Sequence, residues 1–379
     1  MTGGILCQDW RENFAVIRPV DISNWKWTRR SNLNSLSPQS ASEWQGHLRA
    51  FSSALMAAQE FEGATAPNPP VGCVILSRDG RVLAVAAHQA AGQFHAEARA
   101  IEMCRTQGTL NDIHTLVVTL EPCNHHGRTP PCAGAILATP AKEIWIGAAD
   151  PNSHVKGGGA AHLKAAGLAV YMWSELPEPA VADFSQRAAR LIAPFAKRVT
   201  TGLPWITVKQ AFNRAGTMLP PPGQKTFSSQ PSLELAHRLR KRADAIMTGS
   251  GTVLADQPLL NVRHVPDFPN KKRKLVLMDR RRRIPESYIA SAVSRGFDVM
   301  RPASLAEAFK ELGRQGINEV MIEAGPELTR AVLSSNVWDE LVVIRQAMNP
   351  DQADEVAIVS NQKISIHPNQ ENENVFRNH

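Results

Sequence analysis

The stretch TLVVTLEPCNHHGRTPPC (Thr115 to Cys132), read with FHAEARAIEMC (Phe94 to Cys104), decides the fold of the first half of this chain. TLVVTL is short, apolar and β-branched, which predicts a strand that delivers Glu121, Pro122 and Cys123 to its carboxyl end. In open α/β sheets, ligands bind at that end. The segment from Ala98 to Cys104 predicts a helix with His95 and Glu97 at its open first turn, where residues two apart can face one site. Pro130 and Pro131 precede Cys132 and the apolar run Ala133 to Ala138. Cys132 is therefore expected near a second helix start, where the macrodipole favours thiolate over thiol.

These placements supply the protein parts of a metal site. The imidazole of His95 and the thiolates of Cys123 and Cys132 can hold Zn²⁺ with a fourth position left for water, whose pKa then falls towards ~7. Taken singly, a His-x-Glu pair is common by chance and a lone cysteine is usually a small buried hydrophobe. The ordered set carries the weight. An H-x-E…P-C…C order is the signature of zinc-dependent nucleobase deaminases, in which the glutamate is no ligand but the general acid and base. Glu97 holds that place.

The usual signature has two residues between the cysteines, whereas eight separate Cys123 from Cys132. With PNPPVG (Pro67 to Gly72), HQAAGQFHAE (His88 to Glu97) and DPN (Asp150 to Asn152), this segment closely resembles the deaminase half of the bifunctional riboflavin-biosynthesis deaminase/reductase family. The resemblance implies that Asn68, His88, His125, Arg128, Asp150 and Asn152 line the substrate site. Arg128, always charged and fork-shaped, is the expected phosphate or ribose contact. By residue type alone, Asn68 before Pro69 equally well shapes a turn, and one of His125 and His126 equally well reads as a solvent-facing loop residue.

The chain has 379 residues, 43% of them apolar and 20% charged, which is ordinary for a globular protein of two or three domains. Of five cysteines, two are assigned to metal. Cys7, Cys73 and Cys104 are an odd, unpatterned remainder that argues against a disulfide framework and for the cytoplasm. Asp9, Arg11, Glu12 and Asp21 interrupt the start where a signal peptide needs an apolar core, and no stretch approaches ~18 consecutive apolar residues. Neither secretion nor membrane insertion is expected. The formal charge of +7 suits nucleic acid and phosphorylated small molecules equally. The basic clusters Lys271 to Lys274 and Arg280 to Arg283 flank a strand-like LVLM and read as solvated strand ends, with a phosphate-bearing cofactor as a further reading.

Residues 1 to 42 lack periodicity and are expected to form an irregular extension outside the resemblance. From Glu43 an amphipathic helix is predicted through Ala57. VGCVIL (Val71 to Leu76) and RVLAVAA (Arg81 to Ala87) follow as strands joined by an Asp79-Gly80 turn. Further strands are expected at Glu143 to Gly147 and Leu168 to Trp173, with a helix near Ala160 to Ala166. Strands alternating with helices predict a three-layer α/β domain over residues 43 to 180, cytidine-deaminase-like by resemblance. A linker helix is expected over 181 to 200. A second alternation follows, with strands at Trp205 to Phe212, Ala243 to Gly249, Lys274 to Asp279, Glu319 to Gly325 and Glu340 to Ile344 and a helix from Ser232 to Lys241. A polar tail is expected from 349 to 379.

This second half, 201 to 348, resembles the reductase domain of the same family, an α/β relative of dihydrofolate reductase, most densely in ADAIMTGSGTVLADQPLLNVR (Ala243 to Arg263). The resemblance implies that Thr252, Asp256 and Gly325 meet NADPH, and that Arg240, Leu260, Arg263 and Glu323 meet the phosphoribosyl substrate. Arginine offers phosphate bidentate hydrogen bonds, and backbone N–H groups before a helix can cradle it. Departures from the family pattern occur at Phe212 to Gly216, where the aspartate before the glycine is lost, at Gly223 to Ser229, and at Arg345 to Glu355.

The resulting expectation is a zinc enzyme that removes the 2-amino group of a phosphoribosyl diaminopyrimidine and then reduces its ribosyl group to ribityl with NADPH. It would have no nucleic-acid or membrane partner, and homo-oligomerisation stays open. Two rivals stand beside it. One is a deaminase with a noncatalytic reductase-like half, favoured by the departures. The other is a nucleic-acid base deaminase, favoured by basic charge and disfavoured by the long cysteine spacing.

Overall fold

The computed structural model describes residues 41–124, 131–152, 158–175, 179–224, 226–349 and 352–361. The expected extension therefore lies almost wholly outside the described residues, as do His125, Arg128 and the last part of the expected tail.

Continuous apolar runs become buried central strands. β1 (Gly72–Leu76) and β2 (Val82–Ala87) form an antiparallel hairpin with Gly72 opposite Ala87. Its turn glycine, Gly80, takes φ +81°, a conformation that side chains disfavour. β3 (Thr115–Val118) pairs antiparallel with β1, and β4 (Glu143–Ile146) and β5 (Ala169–Met172) continue in parallel, giving the order β2-β1-β3-β4-β5. Alternate side chains leave opposite faces of each strand. Val74, Val117 and Trp145 point to α1 (Ala41–Gln59) and α5 (Pro179–Thr201), where Phe51, Trp173 and Phe184 complete an aromatic cluster. Ile75, Leu116 and Ile146 point the other way, to α2 (Ala96–Thr106), α3 (Cys132–Leu137) and α4 (Gly159–Ala165). The result is three layers.

The second sheet has the order β12-β11-β6-β10-β7-β8-β9. β6 (Trp205–Phe212), β7 (Ala245–Gly249), β8 (Arg273–Met278), β9 (Phe297–Met300), β10 (Glu319–Glu323) and β11 (Glu340–Arg345) are parallel. Met247, Val276 and Ile322 pack with Phe309 and Leu312 of α9 (Leu305–Arg314) and Val332 of α10 (Pro326–Ser334). On the opposite face, Ile246 and Leu275 meet Val253 of α7 (Ser250–Asp256) and Tyr288 of α8 (Glu286–Ser294), while Met321 and Val342 meet Leu239 of α6 (Gln230–Arg242).

β12 (Glu355–Ser360) corrects the sequence reading, because it stands where a polar tail beginning at residue 349 is expected. It pairs antiparallel along the whole of β11, from Glu340 opposite Ser360 to Arg345 opposite Glu355. Its core, Val356 to Val359, is apolar and mostly β-branched, a strand signal inside polar surroundings, and the open edge of β11 rewards its pairing. Asp354 secures the connection by accepting from the Ala347 amide at 3.1 Å and from the Ser229 amide and hydroxyl at 2.9 and 2.8 Å. The departing segment Arg345 to Glu355 is thus built into the domain. α7, α8, β9 and α9 also lie beyond the elements read from the sequence. For α9 a signal existed: Ser304 caps the Glu307 amide, and the Glu307 carboxylate accepts from the Ala303 amide.

Buried charge joins the two halves. Lys197 of α5 donates to Asp339 at 2.6 Å, and Arg242 of the second half, paired there with Glu319 and Glu340 at 2.7 and 3.0 Å, lies 3.9 Å from Glu62 of the first.

Candidate active site

His95 is the N-cap of α2 and Cys132 the first residue of α3, while Cys123 follows the end of β3. Three separate elements thus bring His95 Nδ1 to 3.6 Å from Cys123 Sγ and 3.3 Å from Cys132 Sγ, with all three donor atoms within 4.8 Å of one another. Glu97, one residue into α2, is buried at 3% exposure and hydrogen-bonded with the Cys132 thiol. Burial raises its carboxyl to about 7. A hydrogen bond from Cys132 pulls the Cys123 thiol down to about 4, and the same bond pushes the Cys132 thiol up. The amide at the start of α3 donates to Cys123 Sγ at 3.4 Å.

Asn68 and His88 stand beside this centre and hold each other. The Asn68 amide donates to His88 Nε2 at 3.2 Å, and His88 Nδ1 donates to the Phe94 carbonyl at 3.1 Å. The His88 ring lies edge-on to that of His95, centroids 5.1 Å apart. Burial lowers the His88 pKa, which keeps this tautomer neutral. Asp150 and Asn152 occupy the loop after β4, where Asp150 Oδ1 accepts from the Asn152 amide at 2.9 Å. That loop is tied down by Glu121, a residue not singled out in the sequence, whose carboxylate accepts from the amides of Asp150 at 3.1 Å and Ala160 at 2.9 Å. Its place next to Pro122-Cys123 at a strand end is the signal that could have found it. Gly159 is required there, since a Cβ would sit 1.8 Å from the Pro122 carbonyl oxygen.

The second group of expected site residues lies at the carboxyl ends of β7 and β10 and along β6. Glu323, ending β10, receives Arg240 through both carboxylate oxygens, and Lys209 of β6 approaches to 3.6 Å. Arg240 Nη1 also donates to the Asn261 carbonyl at 3.2 Å and lies 3.1 Å from His237 Nε2. His237, likewise missed from sequence, accepts the Arg263 amide on Nδ1 at 2.9 Å. Burial, with Arg240 next, depresses it to about 3, so it is neutral. Leu260 is buried at φ +55° in the loop that carries Arg263. Arg263 itself is exposed, with Nη1 bonded to the Asn261 side chain at 3.1 Å. Thr252 Oγ1 accepts from the Gly325 amide at 2.9 Å, which joins α7 to the start of α10. Asp256 is exposed at the far end of α7. In the departing segment after β6, Asn213 closes its own turn, donating to Thr217 Oγ1 at 2.7 Å and to the Leu219 carbonyl at 2.9 Å.

Two family models match the chain: the cytidine and deoxycytidylate deaminase zinc-binding region over residues 45–148, and the RibD C-terminal domain over residues 204–347. The riboflavin biosynthesis protein RibD of Escherichia coli K12 is 33% identical over 325 residues, covering 76% of this chain and 84% of that protein. The chain belongs to the RibD family. RibD of Mycobacterium tuberculosis H37Rv is likewise 33% identical, over 285 residues, covering 75% of this chain and 80% of its own length. The solved structure of Acinetobacter baumannii RibD, form 1, is similar at 30% identity with a TM-score of 0.69, covering 82% of this chain and 89% of that one. As a RibD-family protein, the chain is a deaminase joined to a reductase, three-layer in its first half and dihydrofolate-reductase-like in its second.

The RibD family implies Zn²⁺ and NADPH, and the residues present fit both. Around a tetrahedral zinc, nitrogen and sulfur ligands stand about 3.5 Å apart, given bonds of about 2.0 and 2.3 Å. The separations of 3.3 and 3.6 Å match. For the dinucleotide, α7 and α10 begin at the carboxyl ends of the neighbouring strands β7 and β10. Neither carries a side-chain cap, so first-turn N–H groups are left for phosphate. Among the described residues no helix is long and apolar enough to cross a membrane.

Proposed function

We propose that the chain catalyses two successive steps of riboflavin biosynthesis: hydrolytic removal of the 2-amino group from 2,5-diamino-6-(5-phosphoribosylamino)pyrimidin-4(3H)-one, then NADPH-dependent reduction of the ribosyl group to ribityl. One observation carries the first step. His95 Nδ1 and two cysteine sulfurs converge within 4.8 Å while a buried carboxyl, raised to about 7, stands against one of those sulfurs. Zinc, when bound there, supplies activation of water at neutral pH.

Glu97 takes one proton from the attacking water and delivers it to the ring nitrogen, then takes the second from the hydroxyl so formed on C2 and gives it to the departing amine. The C2–N bond breaks, oxygen replaces nitrogen and ammonia leaves. A carboxyl near pH 7 can both accept and give each proton. His88, neutral and with both ring nitrogens already hydrogen-bonded, is an oriented ring wall for the pyrimidine. Asn68, Asp150 and Asn152 complete it, and His125 and Arg128 fall to the same site by resemblance.

In the second half, NADPH supplies the hydride when bound. Thr252, Gly325 and Asp256 are assigned to its cleft, and Leu260 and Arg263 to the phosphoribosyl end. The Arg240–Glu323 pair forms the floor between them. Residues 43 to 180 are assigned to the deaminase, 181 to 200 to the connecting helix, and the sheet from 201 onward to the reductase. The free thiols of Cys73 and Cys104 favour a reducing compartment, the cytoplasm. A small phosphorylated substrate, rather than a polynucleotide, agrees with the long loop between the cysteines.

The deciding experiment supplies the phosphoribosyl diaminopyrimidine with and without NADPH and identifies the products by mass. Deaminated pyrimidine alone is expected without cofactor, and the ribityl product with it. Failure to release ammonia refutes the first assignment. Deamination without cofactor binding at millimolar NADPH refutes the second.

A further inference from the structure

We propose that Asn318, which lies in the reductase half, is a positioning residue for the deaminase site. The inference rests on the deaminase reading above and adds to it a dependence of the first site on the second domain.

Asn318 immediately precedes β10 and is buried. Its backbone amide donates to Asp244 Oδ2 at 2.9 Å, which fixes it to the reductase sheet. Its side chain points across the domain boundary. Nδ2 donates to the carbonyls of Pro67 and Asn68, each at 3.3 Å, and Oδ1 accepts from Arg198 Nε at 2.6 Å. Arg198, on α5, also donates from Nη2 to the Pro67 carbonyl at 2.8 Å. Every polar atom of the Asn318 amide group is thus committed to the turn at 67–68 or to the arginine that braces it.

That turn carries Asn68, whose side chain orients His88, and His88 in turn holds the carbonyl of Phe94, the residue before His95. An unbroken series of hydrogen bonds therefore runs from the reductase sheet to the edge of the metal centre. Two N–H groups of one planar amide, placed on consecutive carbonyls, fix the orientation of that stretch of backbone. The boundary is tight as well: a Cβ on Gly63, five residues before Asn68, would lie 2.2 Å from the Arg242 carbonyl oxygen. The deaminase half thus receives the position of a substrate-site residue partly from its neighbour.

Asn318→Asp is the test. It keeps size and the acceptor for Arg198 but turns the two donors into an acceptor facing two carbonyls. The expected result is a rise of about tenfold in the deaminase KM, from a displacement of the order of 1 Å, with kcat changed less. Zinc content and the reductase kcat/KM on the deaminated pyrimidine stay within about twofold, because Asn318 is about 17 Å of strand away from Glu323. If Asn318 acts through Asn68, the double variant Asn68→Ala/Asn318→Asp shows no higher KM than Asn68→Ala alone.

A KM within twofold of the wild type, effects that multiply in the double variant, or a parallel loss of reductase activity would each overturn the proposal. Arg198→Gln provides the same comparison should the Asp variant fold poorly, with a smaller KM rise expected in the same direction. The ¹⁵N resonance of His88 Nε2, recorded on zinc-loaded protein without substrate, is expected to move in either variant, and an unmoved resonance counts against the proposal. This last measurement separates the two readings. Wild-type protein that releases no ammonia refutes the deaminase assignment, whereas an unmoved His88 signal refutes the role of Asn318.

Discussion

Glu323 grips Arg240 with both carboxylate oxygens, so the guanidinium expected to meet a substrate phosphate is already paired inside the protein. That leaves the exposed Arg263 as the guanidinium proposed for phosphate recognition, with the Arg240–Glu323 pair proposed as the floor beneath it. Burial alone would raise the Glu323 carboxyl, but Arg240 and Lys209 outweigh it and hold it at about 2.

The sign of the pH effect follows. A carboxylate with a depressed folded pKa contributes stability that is present above its unfolded value and is lost as pH falls through the folded value. Wild-type stability in excess of Glu323→Gln should be about 3–5 kcal/mol at pH 7, since the variant leaves a buried guanidinium without its counter-charge. The excess should shrink between about pH 4.5 and 2. Denaturant melts of both proteins across that range check this, and a constant difference contradicts it.

Glu97→Gln preserves shape and the metal ligands while removing the proton carrier. Bound zinc should remain stoichiometric by metal analysis, and ammonia release should fall by roughly 10²–10⁴-fold. Reduction of the deaminated pyrimidine should be untouched. A Gln variant with near-normal deamination would overturn the assigned proton shuttle.

The hydrogen bond from Cys132 lowers the Cys123 thiol and raises that of Cys132, which favours thiolate at Cys123 over Cys132 at pH 6 once zinc is removed. Chelator-treated protein should therefore be alkylated first at Cys123 at that pH, as read by peptide mass, and zinc should protect both cysteines. Preferential labelling of Cys132 would reverse the assignment of charge.

Gly159→Ala forces a methyl group onto the Pro122 carbonyl, 1.8 Å from where its carbon would lie. A destabilisation of about 1–3 kcal/mol is expected, together with a raised deaminase KM, because the same loop carries Asp150 and Asn152. Melting and steady-state kinetics measure the two effects. The reductase step serves as the internal control.

Much of the first domain was legible because its signals are local. Asp79-Gly80 marks its hairpin, the β-branched run before Glu121 marks its central strand, and Pro131 before Cys132 marks a helix start. What escaped depended on partners remote in the chain. Glu121 reads as an ordinary strand-end acid until the amides of Asp150 and Ala160 arrive at its carboxylate. His237 reads as a helix-face polar residue until Arg263 and Arg240 close over it. β12 carries a strand signal in Val356 to Val359 that the polar residues around it obscured, and β11 offers it an edge.

The residues themselves determined the chemistry: an imidazole, two thiols and a carboxyl in an order that can bind zinc and move a proton, followed by a parallel-sheet pattern with arginines at its strand ends. Tertiary structure decided which sulfur receives the amide at the start of α3, that Arg240 is paired with Glu323, and that Asn318 contacts Asn68 from 250 residues away. The reason is physical. Side-chain type and strand or helix period depend on neighbours in sequence, whereas charge placement and hydrogen-bond partners depend on how two sheets and their helices pack.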